Sequence, residues 1–494
     1  MSAEPRADAG GTTLVLLCGE LASALDLDGV RARLGAGSAV QIVDGLCSDP
    51  SAVAAALRDA GADRAVVGLC NSRTLTAALL TRARRGGASP FGVLTVSLAS
   101  AARAASAPAA ARTLAGALAR LEALPADEPG RAVIGRAPLS RAGLLSLGGV
   151  ITVEPVASHD RQACTGSRRC GLCIGACPRG AITQDADTVT IDAGLCDACG
   201  RCVPACPTGA FHLAGAAPGQ LEAELDAVLP AAGVAFRCRH ATSTADELPA
   251  DWATIELPSL GLVTLGWILQ AFAGGAAAVR LLPCDGGCCS EAAGRVALSR
   301  TVLRLLGDLN ATRRIDTAGT PEPQLTPLDH VSSATVLTEP RATVEALARL
   351  GGLPDVTIDD PRSPLGRVSL DATACTLCGA CAVACPTGAL ELAVTDGTFT
   401  LSHDPGRCTG CELCTAACPE RALTVRRTID GAQFRAGATE LATAARTLCR
   451  RCGCELPAPA AARRVQELLA TRWPELAPVT DGLCSECARR TMPR

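Results

Sequence analysis

A multidomain chain mixing α/β with α+β units is the fold class predicted here, and three observations predict it. The chain has 494 residues, its 28 cysteines fall in short runs, and several apolar strand-like segments end in a cysteine. At roughly 150 residues per domain, the length accommodates three or four domains with sizeable cores. Two modules built on paired cysteine runs (150–220 and 365–430), two parallel α/β domains (1–125 and 230–318), a linker (319–364) and a cysteine-stapled C-terminal segment (440–494) partition it.

Composition narrows the function. The net charge is only −3, aromatic residues make up 2% and tyrosine is absent, so a basic groove with stacking platforms for nucleic acid is not expected. All 46 basic residues are arginine. So many cysteines imply either disulfides in an oxidising compartment or metal ligation in a reducing one, and spacing decides between them.

Residues 1–125 open with "LVLLCGE". Its short apolar run, preceded by Glu4 and Asp8, reads as a strand rather than a signal peptide. "AVQIVDGLCSDP" and "RAVVGLC" are further strands, with helix-like stretches such as "PSAVAAALRDAGA" between them. Loops at the carboxyl ends of parallel strands converge on one sheet edge, which brings Cys18, Cys47 and Cys70 within reach of one another.

The next element is a repeat. "CDACGRCVPACPTGAF" from Cys196, "CTLCGACAVACPTGAL" from Cys375 and "CTGCELCTAACPERAL" from Cys408 all read C-x2-C-x2-C-x3-C-P. "CTGSRRCGLCIGACPRGAI" from Cys164 has the same form with three extra residues between its first two cysteines. These runs resemble the bacterial ferredoxin signature. There the first three cysteines hold one 4Fe-4S cluster and the fourth ligates the other cluster of the pair. Carried over, the resemblance places Cys164, Cys170, Cys173 and Cys206 on one cluster and Cys196, Cys199, Cys202 and Cys177 on a second. Downstream it places Cys375, Cys378, Cys381 and Cys418 on a third, and Cys408, Cys411, Cys414 and Cys385 on a fourth.

Residues 230–318 begin with "AGVAFRC", a strand ending at Cys238, and continue through "ATIELPS". The uncharged stretch 257–279 is long enough to span a bilayer, but Gly274 and Gly275 split it into a helix-length and a strand-length piece. No membrane span is therefore predicted. The second piece runs into "LLPCDGGCCSEAAGR", which holds Cys284, Cys288 and Cys289, and a further helix follows. At the C-terminus, Cys449 and Cys452 precede Cys484 and Cys487 by about thirty residues, the spacing of a zinc-ribbon or rubredoxin-like thiolate site. Zinc is favoured over iron, and Cys454 is left over.

Two further resemblances emerge. Through "LVLLCGE", "LCSDP" and "VVGLC", residues 1–125 resemble the N-terminal domain of the A-type subunit of heterodisulfide reductase. That family has another cysteine where Leu16 stands, so its four-thiolate cluster would lack a ligand here. Through "VAFRC", "IELPSLG" and "ILQAFAGGAAAVRLLPC", residues 232 to about 318 are similar to the delta, iron-sulfur subunit of methyl-viologen-reducing hydrogenase. That likeness implies a 2Fe-2S cluster. The family's CxxC after the first strand survives only as Cys238, with Ala241 in the second place, leaving Cys288 or His240 to complete the ligand set. No glycine-rich dinucleotide fingerprint follows a strand, so no flavin is predicted.

The expected function is a cytoplasmic multi-cluster iron-sulfur relay. It would pass electrons between a partner oxidoreductase resembling a hydrogenase, a formate dehydrogenase or heterodisulfide reductase and another carrier. The alternative is a catalytic component of a heterodisulfide-reductase-like complex, working through an incompletely ligated cluster. His159, His212, His330 and His403 follow no ligand spacing and read as surface or packing residues.

Overall fold

The computed structural model describes residues 13–34, 39–47, 49, 51–70, 91–124, 130–134, 151–165, 170–185, 188–241, 248–290, 292–306, 315–316, 339–350, 352, 355–474 and 481–491. The fold is mixed α/β with several small sheets. It forms two compact units, Met1–Cys164 with Cys173–Leu337, and Thr165–Leu172 with Thr338–Arg494.

In the first unit, strands β1 (Thr13–Cys18), β2 (Ala39–Val43), β3 (Arg64–Leu69) and β4 (Val93–Ser97) form a parallel sheet in the order β2-β1-β3-β4. Leu14, Val15, Leu16 and Leu17 are buried on both faces of the central strand, as covered parallel strands require. Helix Ala107–Glu122, whose N-terminus is capped by the Ser106 hydroxyl, packs against this sheet. Its other side meets helix Pro218–Val228 so closely that a Cβ on Gly116 would lie 2.4 Å from Val228. Arg120 is buried there. It donates to Glu224 at 2.9 Å and to the carbonyls of Gly215 and Glu256, while burial raises the carboxyl pKa of Glu224.

Strands β5 (Gly130–Ile134) and β6 (Ile151–Pro155) pair antiparallel, and β6 carries Glu154 to an ion pair with Arg239. Strands β7 (Ala157–His159), β8 (Ile182–Asp185), β9 (Thr188–Ile191) and β10 (Phe211–Leu213) belong to the upstream cysteine module, with β7 on β10 and β8 on β9. A second parallel sheet follows: β11 (Gly233–Cys238), β12 (Trp252–Leu257), β13 (Ala278–Leu282) and β14 (Ile315–Asp316), in the order β12-β11-β13-β14. The apolar stretch 257–279 divides as its glycines predict, into helix Leu265–Ala273 and the start of β13, with Gly275 at φ +100 between them. No helix among the described residues is long and apolar enough to cross a membrane.

In the second unit, the stretch expected to be a linker contains helix Glu339–Arg349 and strand β15 (Thr357–Asp359). Strands β16 (Gly366–Leu370), β17 (Leu390–Thr395), β18 (Thr398–His403), β19 (Leu423–Asp430) and β20 (Thr439–Ala445) frame the downstream cysteine module, in two antiparallel sheets β15-β19-β16 and β17-β18-β20. Helices Pro459–Arg472 and Ser485–Thr491 complete the C-terminal segment.

Candidate iron-sulfur and thiolate sites

The four cysteine runs fold alike, and the backbone shows why. Each begins four residues after an aspartate: Asp160, Asp192, Asp371 and Asp404. Each carboxylate accepts an N–H two residues on, at 2.7–2.9 Å, closing the turn that leads into the ligand loop. The aspartate N–H donates at 2.8 Å to an alanine carbonyl of the partner run: Asp160 to Ala210, Asp192 to Ala181, Asp371 to Ala422 and Asp404 to Ala389. These alanines sit four residues after the fourth cysteine, and their own N–H groups donate back to its sulfur. The N–Sγ distances are 3.3 Å for Ala181 on Cys177, 3.2 Å for Ala210 on Cys206, 3.2 Å for Ala389 on Cys385 and 3.4 Å for Ala422 on Cys418. The fourth cysteine of each run is thereby stitched beside the start of the other run, the crossing that a dicluster ferredoxin needs.

The ligand loops are held in left-handed conformations. Positive φ occurs two residues after the first cysteine, at Ala198 (57), Leu377 (52) and Gly410 (63), and again at Gly200 (74), Gly379 (77) and Glu412 (63). Alternating right- and left-handed residues turn successive N–H groups toward the loop centre, a geometry suited to negatively charged sulfur. That non-glycine residues accept this strain marks a functional constraint on the loops. The third cysteine then enters a short helix, as in Ala380–Ala384 and Leu413–Ala417, and the fourth ends it before proline.

Three of the expected ligand sets each line one cavity. Cys375, Cys378, Cys381 and Cys418 line one, Cys385, Cys408, Cys411 and Cys414 a second, and Cys177, Cys196, Cys199 and Cys202 a third. Four soft thiols with an aliphatic lining suit an iron-sulfur cluster. For the remaining set, Cys164, Cys173 and Cys206 lie in the first unit, whereas Cys170 falls in the segment grouped with the second. Burial pushes the thiols of Cys199, Cys381 and Cys408 up to about 11 and Cys414 to about 12, so without a metal they are protonated. A bound cation is what would ionise them.

Cys238, Cys284, Cys288 and Cys289 gather at the carboxyl edge of the second parallel sheet, with all four sulfurs within 4.8 Å of one another. Cys284 lies 3.3 Å from Cys288 and 3.5 Å from Cys289, and Cys288 lies 3.7 Å from Cys289. Cys288 is thus one of the four sulfurs gathered here, while His240 accepts a hydrogen bond from Arg239. A hydrogen bond from Cys238 holds the Cys289 thiol at about 4 and correspondingly raises that of Cys238.

This turn abuts the upstream module. Ser259, fully buried, donates to the Cys288 carbonyl at 3.1 Å, and Arg201 donates to the Gly287 carbonyl at 2.8 Å and to Ser290 at 2.9 Å. Gly261 approaches so closely that a Cβ there would stand 2.0 Å from the Cys199 carbonyl oxygen.

At the first sheet edge, Cys18, Cys47 and Cys70 meet as the strand-end argument expects, and Glu20 joins them. The short C-x-E spacing was the available signal for Glu20. At the C-terminus, Cys449, Cys452, Cys484 and Cys487 also converge within 4.8 Å, around a small core of Cys449, Leu456 and Cys487. Backbone N–H groups of Cys484 and Cys452 hold the Cys449 thiol down to about 5. The leftover Cys454 is exposed and stands outside this set of four.

Of the isolated histidines, His159 stacks on Phe211, and His330 lies outside the described residues. Burial lowers the pKa values of His159 and His212. His403 is fully buried with neither ring nitrogen hydrogen-bonded, and burial lowers its pKa to about 4. It is a packing residue.

Comparison with known families agrees with this geometry. The family described as 4Fe-4S dicluster domain matches residues 156–210 and 374–422. The family described as methyl-viologen-reducing hydrogenase, delta subunit, matches residues 235–316. No curated protein matches the chain. The chain therefore combines two dicluster ferredoxin-like modules with a hydrogenase-delta-like module, and its chemistry is iron-sulfur electron transfer.

Proposed function

We propose that this chain is a multi-cluster relay carrying electrons between an oxidoreductase partner and a second carrier, with four 4Fe-4S clusters held by the ligand sets named above. The observation that carries the reading is the contact between Cys199 and Gly261. It sets one dicluster ligand loop against the turn Leu260–Leu262, and from the same loop Arg201 donates to the Gly287 carbonyl in the turn bearing Cys284, Cys288 and Cys289. Two thiol-bearing loops of different modules are thus joined through Arg201 and the Leu260–Leu262 turn, the proximity that sequential carriers need. Bound at these thiolates, 4Fe-4S clusters supply one-electron carriers at potentials from about −700 to +450 mV, tuned by sulfur hydrogen bonds and burial.

The chain's own groups set that tuning. The alanine N–H bonds to Cys177, Cys206, Cys385 and Cys418 stabilise negative charge on sulfur, which favours the reduced state. Cys378 is exposed, and it offers the downstream module a point of exchange with a partner. The partner class, resembling a hydrogenase, a formate dehydrogenase or heterodisulfide reductase, rests on the delta-subunit likeness. The C-terminal thiolates suit a structural zinc that substitutes for a hydrophobic core.

At the delta-like turn the family likeness favours a 2Fe-2S cluster. A specific observation favours a second reading, a single iron. The sulfur separations of 3.3–3.7 Å match the tetrahedral edge of about 3.8 Å around one metal with bonds near 2.3 Å.

Anaerobic purification followed by iron and sulfide counting and redox-titrated EPR tests the relay. About 16 irons are expected from four clusters, plus one or two lost selectively in Cys284→Ser. Fewer than about eight irons after reconstitution overturns the reading. Cys378→Ser and Cys411→Ser are each expected to remove one EPR signal, and unchanged spectra would refute the ligand sets.

A further inference from the structure

The edge of the first parallel sheet carries a site that the relay does not use. Cys18 ends β1, Cys47 follows β2 and Cys70 follows β3, so three crossovers of one parallel sheet deliver three thiols to one point. The Cys47 and Cys70 sulfurs stand 3.0 Å apart. The turn Gly19–Ser23 swings Glu20 back so that its carboxylate accepts a hydrogen bond from the Cys18 thiol. The four ligand atoms all lie within 4.8 Å of one another. Gly19 makes the turn possible: a Cβ there would meet Asp44 Oδ1 at 2.0 Å and the Asp44 Cα at 3.1 Å.

The likeness of this domain to the A-type subunit of heterodisulfide reductase would call for four thiolates, and these residues do not fit that demand. Leu16, where that family has a cysteine, is fully buried in the sheet core, and the fourth donor present is a carboxylate. Three thiolates and one carboxylate oxygen, converging this tightly, match the coordination of a single tetrahedral ion, for which bonds of about 2.3 Å to sulfur and 2.0–2.2 Å to oxygen are usual. Soft thiolates select zinc among common divalent ions, and zinc accepts a carboxylate as well.

We propose that Cys18, Cys47, Cys70 and Glu20 form a mononuclear zinc site, in which Glu20 is the exchangeable ligand. The burial gradient supports that division of roles. Cys18 is buried, Cys47 and Cys70 are half-buried, and Glu20 is exposed, so three anchors are rigid and the fourth faces solvent. Such a site differs from the C-terminal one, whose four thiolates leave no position for exchange.

The full-length chain, purified anaerobically and saturated with Zn²⁺ alone, tests this by zinc, iron and sulfide analysis of wild type, Cys47→Ser and Glu20→Gln. Cys47→Ser should bind one zinc fewer with iron unchanged. Glu20→Gln, an exposed and near-isosteric change, should keep the zinc at saturation but lose it to a competing chelator with about tenfold weaker affinity. Loss of about four irons and their sulfide from Cys47→Ser would overturn the mononuclear site in favour of a cluster. Equal zinc in all three proteins would overturn the site altogether, and wild-type zinc affinity in Glu20→Gln would remove the carboxylate from it. None of these outcomes alters the iron count expected of the four ferredoxin ligand sets.

Discussion

In the upstream dicluster module the strand before the second cysteine run ends at Ile191, and in the downstream module the matching strand ends at His403. Both residues precede an aspartate that makes the same two bonds, one to an alanine carbonyl of the partner run and one from an N–H two residues on. The ligand loops beyond them are left-handed at matching positions, Ala198 and Gly200 upstream and Gly410 and Glu412 downstream. What differs is the setting. Upstream, the Cys199 loop is packed against Gly261 and Leu262 of the delta-like module, while downstream the Gly410 loop is packed against Gly366 of its own sheet. The comparison separates two layers: hydrogen bonds local to each run determine how sulfur is held, and the surfaces packed on the loop determine what the sulfur can exchange electrons with.

The largest expected difference comes from His403. Its two ring nitrogens are buried without partners, and its pKa falls to about 4 from an ordinary value near 6.5. Between those values the unfolded chain binds the proton and the folded chain does not. Stability therefore falls as pH drops through this window, by about 3 kcal/mol in total. Ile191 has no such dependence. His403→Ile should flatten the acid side of the downstream module's stability profile. Urea midpoints followed by cluster absorbance at pH 7 and pH 4.5 would measure it against wild type. At pH 7 the variant should be no less stable, because it removes buried polar atoms that have no partner. Parallel losses in the two proteins would break the contrast between the modules.

Gly261 tests the other layer. A Cβ there meets backbone rather than a flexible side chain, so Gly261→Ala must displace the Cys199 loop from the Leu260–Leu262 turn, which Ser259 ties to the Cys288 carbonyl, at a cost of about 1–3 kcal/mol. Gly366→Ala faces a comparable clash, 2.5 Å from the Gly410 Cα, but within one module. Both variants should keep their irons, while only Gly261→Ala should slow electron exchange between the delta-like turn and the upstream clusters. Rapid-mixing reduction followed by freeze-quench EPR would resolve the two. Equal rates in both variants would mean that the backbone contact is not the route.

Much of this was legible in the sequence. The C-x2-C-x2-C-x3-C-P spacing anticipated three cavities each lined by four cysteines, because covalent spacing determines how a short loop presents its first three thiols, while the fourth comes from the partner run. Strand-terminal cysteines likewise announced the two sheet edges, since parallel strands must end on the same side. The aspartate four residues before each run was also written in the sequence, in "DRQAC", "DAGLC", "DATAC" and "DPGRC", yet its meaning depends on a bond to the partner run that no single run reveals. Glu20, Ser259 and Gly261 were harder still. Their roles follow from turns and close approaches that have no spacing rule, and the choice of Cys288 over His240 depended on which side chain the turn at Gly287–Cys289 points inward.

The smallest difference lies after the fourth cysteine. Gly180, Gly209 and Gly388 take positive φ three residues beyond it, at 62, 68 and 63, and Arg421 does so at 52 with a side chain attached. All four donate an N–H to that cysteine's carbonyl, at 3.2–3.4 Å, so the conformation is required by the bond rather than by the residue. That region costs an L-residue roughly 1–2 kcal/mol, and a glycine avoids the strain while gaining about 0.5–1 kcal/mol of entropy in the unfolded chain. Arg421→Gly should therefore stabilise the downstream module by less than about 1 kcal/mol. Gly388→Ala should destabilise it by about 1 kcal/mol or more, since its Cβ would also stand 2.7 Å from Arg407 Nη2. A fall in the urea midpoint of Arg421→Gly would show that the arginine is held there by favourable contacts, and that the fourth run differs from the other three in more than its backbone strain.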